Sequence, residues 1–173
     1  KESGVAGVQG ELLNELETVA NVSGRYAEAA RCAVRERVSR GGAIDRKALD
    51  REQHLVHGLA WVATYAETLR EVADWARGLS ESEAFGTVEQ LLATLVAAEY
   101  SAQLAGGLPM TQVESIRPAD FGIEAPAIAL TATQAEKTRL AELLRDGRGR
   151  ATLENAGLDA DLDMIRDQFR KFA

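Results

Sequence analysis

DRKALDREQHLVHGLAWVATYAETLREVADWARGL, residues 45–79, decides the fold. As one helix, at ~1.5 Å per residue, it would be about 50 Å long. Leu49, Val56, Leu59, Ala63, Ala66, Leu69, Ala73 and Ala76 step mostly by threes and fours. Arg46, Lys47, Arg51, Glu67, Arg70, Glu71, Asp74 and Arg77 fall mostly off that stripe, so the spacing predicts an amphipathic helix. Asp45 is its expected N-cap, with Ile44 and Leu49 at the spacing of a hydrophobic staple and Gly41-Gly42 ending whatever comes before. Trp61, Tyr65 and Trp75 border the stripe, and their N–H and O–H groups need partners if buried.

On the amino-terminal side, residues 1–10 have little periodicity and are expected to fray. From residue 11, Leu12, Leu16, Val19, Ser23, Tyr26, Ala30, Ala33 and Arg37 alternate steps of four and three, the seam of a bundle helix. Gly24 is its weak point and a candidate kink. Arg31, Arg35, Arg37 and Arg40 suit the carbonyl end of this helix better than they suit a phosphate.

On the other side, Ser80 and Glu83 have capping-box spacing, which predicts a third helix from near residue 81. Its expected apolar face is Phe85, Val88, Leu91, Leu92, Leu95, Ala98 and Ala102, stopped by Gly106-Gly107 and Pro109. Residues 108–132 hold all three prolines and many apolar residues. They predict an irregular connector laid along the bundle, with one helical turn from Pro118. Thr133 and Glu136 repeat the capping box and open a fourth helix carrying Leu140, Leu143 and Leu144 that closes at Gly147. The basic loop at 145–150 reads as a solvated interhelix loop rather than a phosphate cradle, since it lacks P-loop spacing and follows no strand. Residues 151–173 read as a linker and the start of an amphipathic helix with Leu162, Ile165, Phe169 and Phe172 on one side. Its end has no cap, as expected of a chain that continues. The expected architecture is all-α: an antiparallel up-down bundle of three long helices plus a shorter fourth over residues 11–150, then a C-terminal amphipathic helix.

With 173 residues, 46% hydrophobic and 27% charged, the chain suits one domain with a real core. A formal charge of −7 argues against duplex nucleic acid as a partner. No run of about 18 uncharged apolar residues argues for a membrane partner, and cytoplasm is the expected location. The single cysteine, Cys32, excludes an intrachain disulfide and is expected to be a buried thiol. No nucleophile paired with a base and no Gly-rich strand-to-helix turn is present, so no catalytic residue is expected. His54 and His57 share a helix face and are the candidate metal ligands. A di-iron bundle uses Glu-x-x-His on two helices, and no Glu stands three before either histidine, so hydrogen-bonded structural histidines are the favoured reading. Glu99, the acid in an otherwise apolar stretch, is expected to pair with a basic residue.

Three segments carry a family resemblance: DREQHLVHGLAWVATYAETLREVADWA (50–76), AAEYSAQLAGGLPMTQVESIRPADFG (97–122) and DLDMIRDQFRKFA (161–173). Together they resemble the amino-terminal extension of some bacterial acyl-CoA dehydrogenases. Within the last, IRDQFRKFA resembles the first helix of that family's catalytic region, an apolar-Arg-x-x-x-Arg-x-Phe-Ala pattern. The resemblance implies a parent oxidoreductase that binds FAD and dehydrogenates an acyl-CoA thioester at its α,β bond. In that family a glutamate removes the α-proton, hydride passes to flavin, electrons go to an electron-transferring flavoprotein, and the enzymes are tetramers or dimers. Those groups belong to a β-barrel domain and a later helical domain, so no catalytic or flavin-binding residue is carried over. This chain is then expected to be a non-catalytic N-terminal domain that packs on, or helps oligomerise, the parent's catalytic domains. The alternative is a self-contained module that homo-oligomerises through Trp61, Trp75, Phe169 and Phe172.

Overall fold

The computed structural model describes residues 2–128, 130–147 and 160–171. The described residues form α1 (Glu2–Val38), β1 (Ser39–Arg40), β2 (Ala43–Ile44), α2 (Arg46–Arg51), α3 (Gln53–Glu81), α4 (Thr87–Gly106), β3 (Leu108–Pro109), β4 (Ser115–Ile116), α5 (Pro118–Phe121), α6 (Gln134–Asp146) and α7 (Ala160–Arg170). The fold is mostly helical, and two small antiparallel hairpins, β1–β2 and β3–β4, correct the all-α expectation. The first forms because Gly41 and Gly42 both adopt positive φ (59° and 85°), the backbone a two-residue hairpin turn needs.

α1 is one helix through Gly24, with helical backbone from Glu2. Its buried face follows Leu16, Val19, Ser23, Tyr26 and Ala30, then Val34 and Val38 in place of Ala33 and Arg37. Three successive steps of four, from Tyr26 to Val38, keep a 3.6-residue helix facing the core where a strict 3.5-residue repeat would drift off it. Tyr26 is 6% exposed. Burial first, and the Asp120 carboxylate second, push its phenol up to about 12. An unfolded tyrosine ionises near 10, so this contribution is intact below pH 10 and is lost as pH rises from 10 to 12. Tyr26→Phe should flatten the alkaline limb of thermal melts over that window. The difference should be on the order of 1–2 kcal/mol after solvent screening, and coincident wild-type and Y26F profiles would refute it.

The 45–79 stretch is two helices. Asp45 caps the first as expected, accepting from the backbone N–H groups of Lys47 (2.9 Å) and Ala48 (3.2 Å). Ile44 is 69% exposed and forms no staple. Glu52 (φ −98°, ψ 21°) separates α2 from α3. The break shifts the inward face to Ala48, Leu55, Gly58 and Val62, leaving Leu49, Val56 and Leu59 half-buried and Ala63 exposed. From Ala66 through Leu69, Ala73 and Ala76 the expected and observed stripes coincide.

Ser80 and Glu83 do not open a helix; they close one. The Glu83 N–H donates to Ser80 O and the Ala84 N–H to Leu79 O, the paired bonds of a Schellman cap, with Glu83 in left-handed backbone at φ 56°. That conformation favours glycine, so Glu83→Gly should stabilise the fold by about 1 kcal/mol, read as a melting temperature several degrees higher. An unchanged or lowered midpoint would refute it. α4 then starts at Thr87. Its innermost face is Glu89, Ala93, Ala97, Ala98, Ser101 and Leu104, while Leu91, Leu92 and Leu95 lie half-buried on its flanks. Small side chains let α4 come close to α1 and α3, which leaves the leucines to fill the sides.

Specific contacts fix these helices. The Arg77–Glu17 ion pair (3.3 Å) and the Gln9 Nε2 donation to Ser80 Oγ (3.0 Å) tie the end of α3 to the start of α1. Lys137 of α6 pairs with Glu99 of α4, the basic partner expected for that acid. The connector is more ordered than its composition predicts. β3 pairs with β4 in the register Leu108↔Ile116, and Ile116 packs against Gly58 of α3. α5 begins at Pro118 as expected, with Asp120 Oδ2 accepting from the Arg117 N–H at 2.7 Å. α6 carries the expected Thr133–Glu136 capping box and ends at Gly147. Cys32 is exposed on α1, against expectation, because it falls between the core positions Ala30 and Val34. Residues 148–159 and 172–173, which include the second half of the basic loop, the start of the 151–173 segment and Phe172, lie outside the described residues.

Candidate interaction surface

His57, Trp61 and Tyr65 follow one another at four-residue spacing along the edge of α3, so their rings stack up the helix side. The Trp61 indole N–H donates to His57 Nε2 at 3.0 Å. Trp61 meets Tyr65 edge-on at 6.5 Å between centroids, and Tyr65 stacks on Tyr100 of α4 at 4.2 Å. The Tyr65 hydroxyl donates to Gln103 Oε1 at 2.9 Å, and burial, then Tyr100, raises its pKa. This ladder ties α3 to α4. It also engages the Nε2 lone pair of His57, the atom a metal would need. His54 and His57 are exposed and share a shallow hollow of about 580 Å³ with Asp50 and Glu114. Among the described residues no group of three His, Cys, Asp or Glu side chains is placed to hold a metal.

Trp61 and Trp75 are half-buried and packed on the core. The Trp75 indole N–H is buried with no acceptor among the described residues. Phe169 lies on α7 and is 73% exposed, and Leu162 and Ile165 on the same helix are each 48% exposed. No ring contact joins Phe169 to either tryptophan among the described residues. The half-buried tryptophans and the exposed α7 face are therefore separate features.

A groove of about 1230 Å³ lies between the first half of α1, the first half of α4 and Ala127, Ile128, Leu130 and Thr131 of the connector. Leu12, Val19 and Val22 supply apolar wall from α1, and Leu91 supplies it from α4. Glu11, Glu15 and Glu136 edge the groove, with neither Lys nor Arg among its described lining residues. The backbone N–H of Thr133, then its hydroxyl, bonds to the Glu136 carboxylate and lowers its pKa. The groove was not anticipated from the sequence. Its signal is the surplus of apolar residues on α4, where the leucines left over from the close-packed face form a second row.

No protein-family model matches this chain. One curated enzyme matches it at 46% identity over an alignment of 154 residues. The chain is similar to a (2S)-methylsuccinyl-CoA dehydrogenase. That enzyme is from Cereibacter sphaeroides; the alignment covers 84% of this chain and 28% of the relative. The resemblance to acyl-CoA dehydrogenases carried by residues 50–76, 97–122 and 161–173 is thus supported by a single extended match.

The flavin that such a dehydrogenase implies can be tested against the side chains present. A flavin dinucleotide carries a dianionic pyrophosphate that needs cations or free amides at a helix start. The groove between α1 and α4 instead presents Glu11, Glu15 and Glu136, so these residues do not fit the group. Among the described residues no helix is long and apolar enough to cross a membrane.

Proposed function

We propose that this chain is the non-catalytic helical N-terminal domain of an FAD-dependent acyl-CoA dehydrogenase, and that it packs on, or helps oligomerise, the catalytic part. The 46% identity over a stretch equal to 28% of the dehydrogenase relative is the observation that carries this reading. In it, α1, α3 and α4 form an antiparallel up-down bundle with α6 as a shorter fourth member, and the parent works in the cytoplasm. The Arg77–Glu17 and Gln9–Ser80 contacts support that arrangement. Flavin and substrate chemistry stay with the remaining domains of the parent, and the acidic groove lining agrees with that division. The exposed Leu162, Ile165 and Phe169 face of α7 favours a second reading, a self-contained dimerisation module.

The test removes the residues that match 1–147 from the full-length parent and compares flavin content, turnover and sedimentation with the intact enzyme. The shortened enzyme should keep its flavin and its α,β-dehydrogenation while losing thermal stability or oligomeric order. Flavin absorbance bands in this chain alone, or complete loss of flavin from the shortened enzyme with its fold intact, would overturn the reading.

A further inference from the structure

Two walls of the groove belong to the bundle core and the third is lightly held. The α1 wall is anchored by Leu16 and Val19, and the α4 wall by Ala93 and Ala97, all of them buried. The third wall is a lip made of Leu130, Thr131 and the first turn of α6. Leu140 is the one buried residue of α6. Its side-chain tie to the bundle, among the described residues, is Lys137 with Glu99 of α4, and no hydrogen bond or ion pair joins α6 to α1. Leu12, Val19 and Val22 line the same trough as Leu91, Ile128 and Leu130, and apolar walls separated by water gain by meeting.

Charge opposes that closure. Glu11 and Glu15 edge the groove on α1, and Glu136 edges it on the lip. The walls supply no cation, since residues 2–24, 87–106 and 118–133 contain neither Lys nor Arg. The cations nearest in the fold are paired elsewhere: Lys137 with Glu99, Arg139 with Glu142 (3.7 Å) and Arg77 with Glu17 (3.3 Å). The bonds that Thr133 makes to the Glu136 carboxylate hold it ionised. We propose that residues 130–140 are a lip propped open by like charge, which pivots on Leu140 and closes onto α1 when the rim carboxylates are screened or neutralised. Closure withdraws Leu12, Val22 and Leu91 from solvent, so the apolar trough is presented or hidden by the charge on its own rim. What covers the trough is a segment that already lines it. This device goes beyond the domain reading of the chain and does not rest on it.

The test places spin labels at two exposed positions that do not line the groove, Asn21→Cys on α1 and Thr138→Cys on α6, in a Cys32→Ser background. Pulsed electron resonance then reads the distance between them. At about 0.01 M salt, where a charge is felt over about 30 Å, the longer distance should dominate. At about 1 M salt, or at low salt with Glu11→Gln and Glu15→Gln, a shorter distance should gain about fivefold in population, as expected for the loss of two like-charge pairs. Glu136→Gln should act in the same direction and leave α6 capped, because glutamine also serves a capping box. Glu36→Gln, on the same helix as Glu11 but outside the groove, should change nothing. One unchanged distance throughout, a Glu36→Gln shift equal to that of the rim variants, or a salt dependence that survives removal of all three rim charges would each overturn the proposal. The salt titration alters no residue of the groove, so it decides the matter even where a rim variant loses its fold. Flavin content, which decides the parent-enzyme reading, enters none of these outcomes.

Discussion

Gly58→Val is expected to cost about 3 kcal/mol and to detach the β3–β4 hairpin from α3. A Cβ added at Gly58 would lie 2.4 Å from Ile116 Cγ1, 2.7 Å from its Cδ1 and 2.9 Å from its Cβ. Contacts of that length are possible only if Ile116 moves, and Ile116 is held from behind. It pairs with Leu108, Glu114 O accepts from the Met110 N–H at 2.9 Å, and α5 starts two residues later. Gly58→Ala would gain about 1 kcal/mol of helix propensity yet lose about 1–3 kcal/mol to overpacking, for a net loss. Ile116→Ala, at a side chain only 2% exposed, should cost about 2–5 kcal/mol through the cavity it leaves. The two substitutions should couple. In the Gly58→Ala/Ile116→Ala double variant the new methyl enters the space the isoleucine vacates, so urea midpoints should show a smaller loss than the sum of the singles. A strictly additive cycle, or a Gly58→Ala midpoint equal to wild type, would mean that the hairpin is not seated in this notch.

The second large effect separates two phenylalanines of identical chemistry. Phe85→Ala should cost about 3–5 kcal/mol, because its ring, 4% exposed, fills the turn between α3 and α4. The backbone around it is committed to that position. The Ala84 N–H closes the α3 cap on Leu79 O, and Gln90 Nε2 donates to Phe85 O at 2.8 Å. Phe169→Ala should change monomer stability by less than about 0.5 kcal/mol, because the ring makes little buried contact within one copy. Its effect should appear in sedimentation alone. Equal losses in chemical denaturation for the two variants would show that α7 is folded onto the core, contrary to the exposure of its apolar ridge.

Local chemistry was legible where one segment settles the matter alone. Asp45 caps α2, Thr133 and Glu136 cap α6, Pro118 starts α5 and Gly147 ends α6, because each signal acts within four residues of itself. Glu99 finds its cation because an ionised carboxylate on a bundle flank is within reach of any long basic side chain on the next helix. The signals that failed have two local meanings. Ser80 and Glu83 have the spacing of a start, but the chain uses them at a stop, where left-handed backbone at Glu83 and two crossed amide bonds terminate α3. The Gly41-Gly42 pair was expected to end the preceding helix, but α1 already ends at Val38; the positive φ angles of the pair instead turn the β1–β2 hairpin, which helix periodicity has no way to signal.

Periodicity along the chain determined that this protein is built from amphipathic helices within residues 11–40, 45–79, 81–106 and 133–147, since a helix repeats its own sequence every 3.6 residues whatever surrounds it. The tertiary structure alone decided which of two adjacent rows faces inward. On α4 the alanines and Ser101 lie inside and the leucines flank them; on the first half of the 45–79 stretch Ala48, Leu55, Gly58 and Val62 displace Leu49, Val56 and Leu59. Hydrophobicity ranks those rows the other way for α4. Close packing reverses the ranking, because the backbones can approach only where side chains are small, and the larger apolar groups are then left at the edges, where the groove forms.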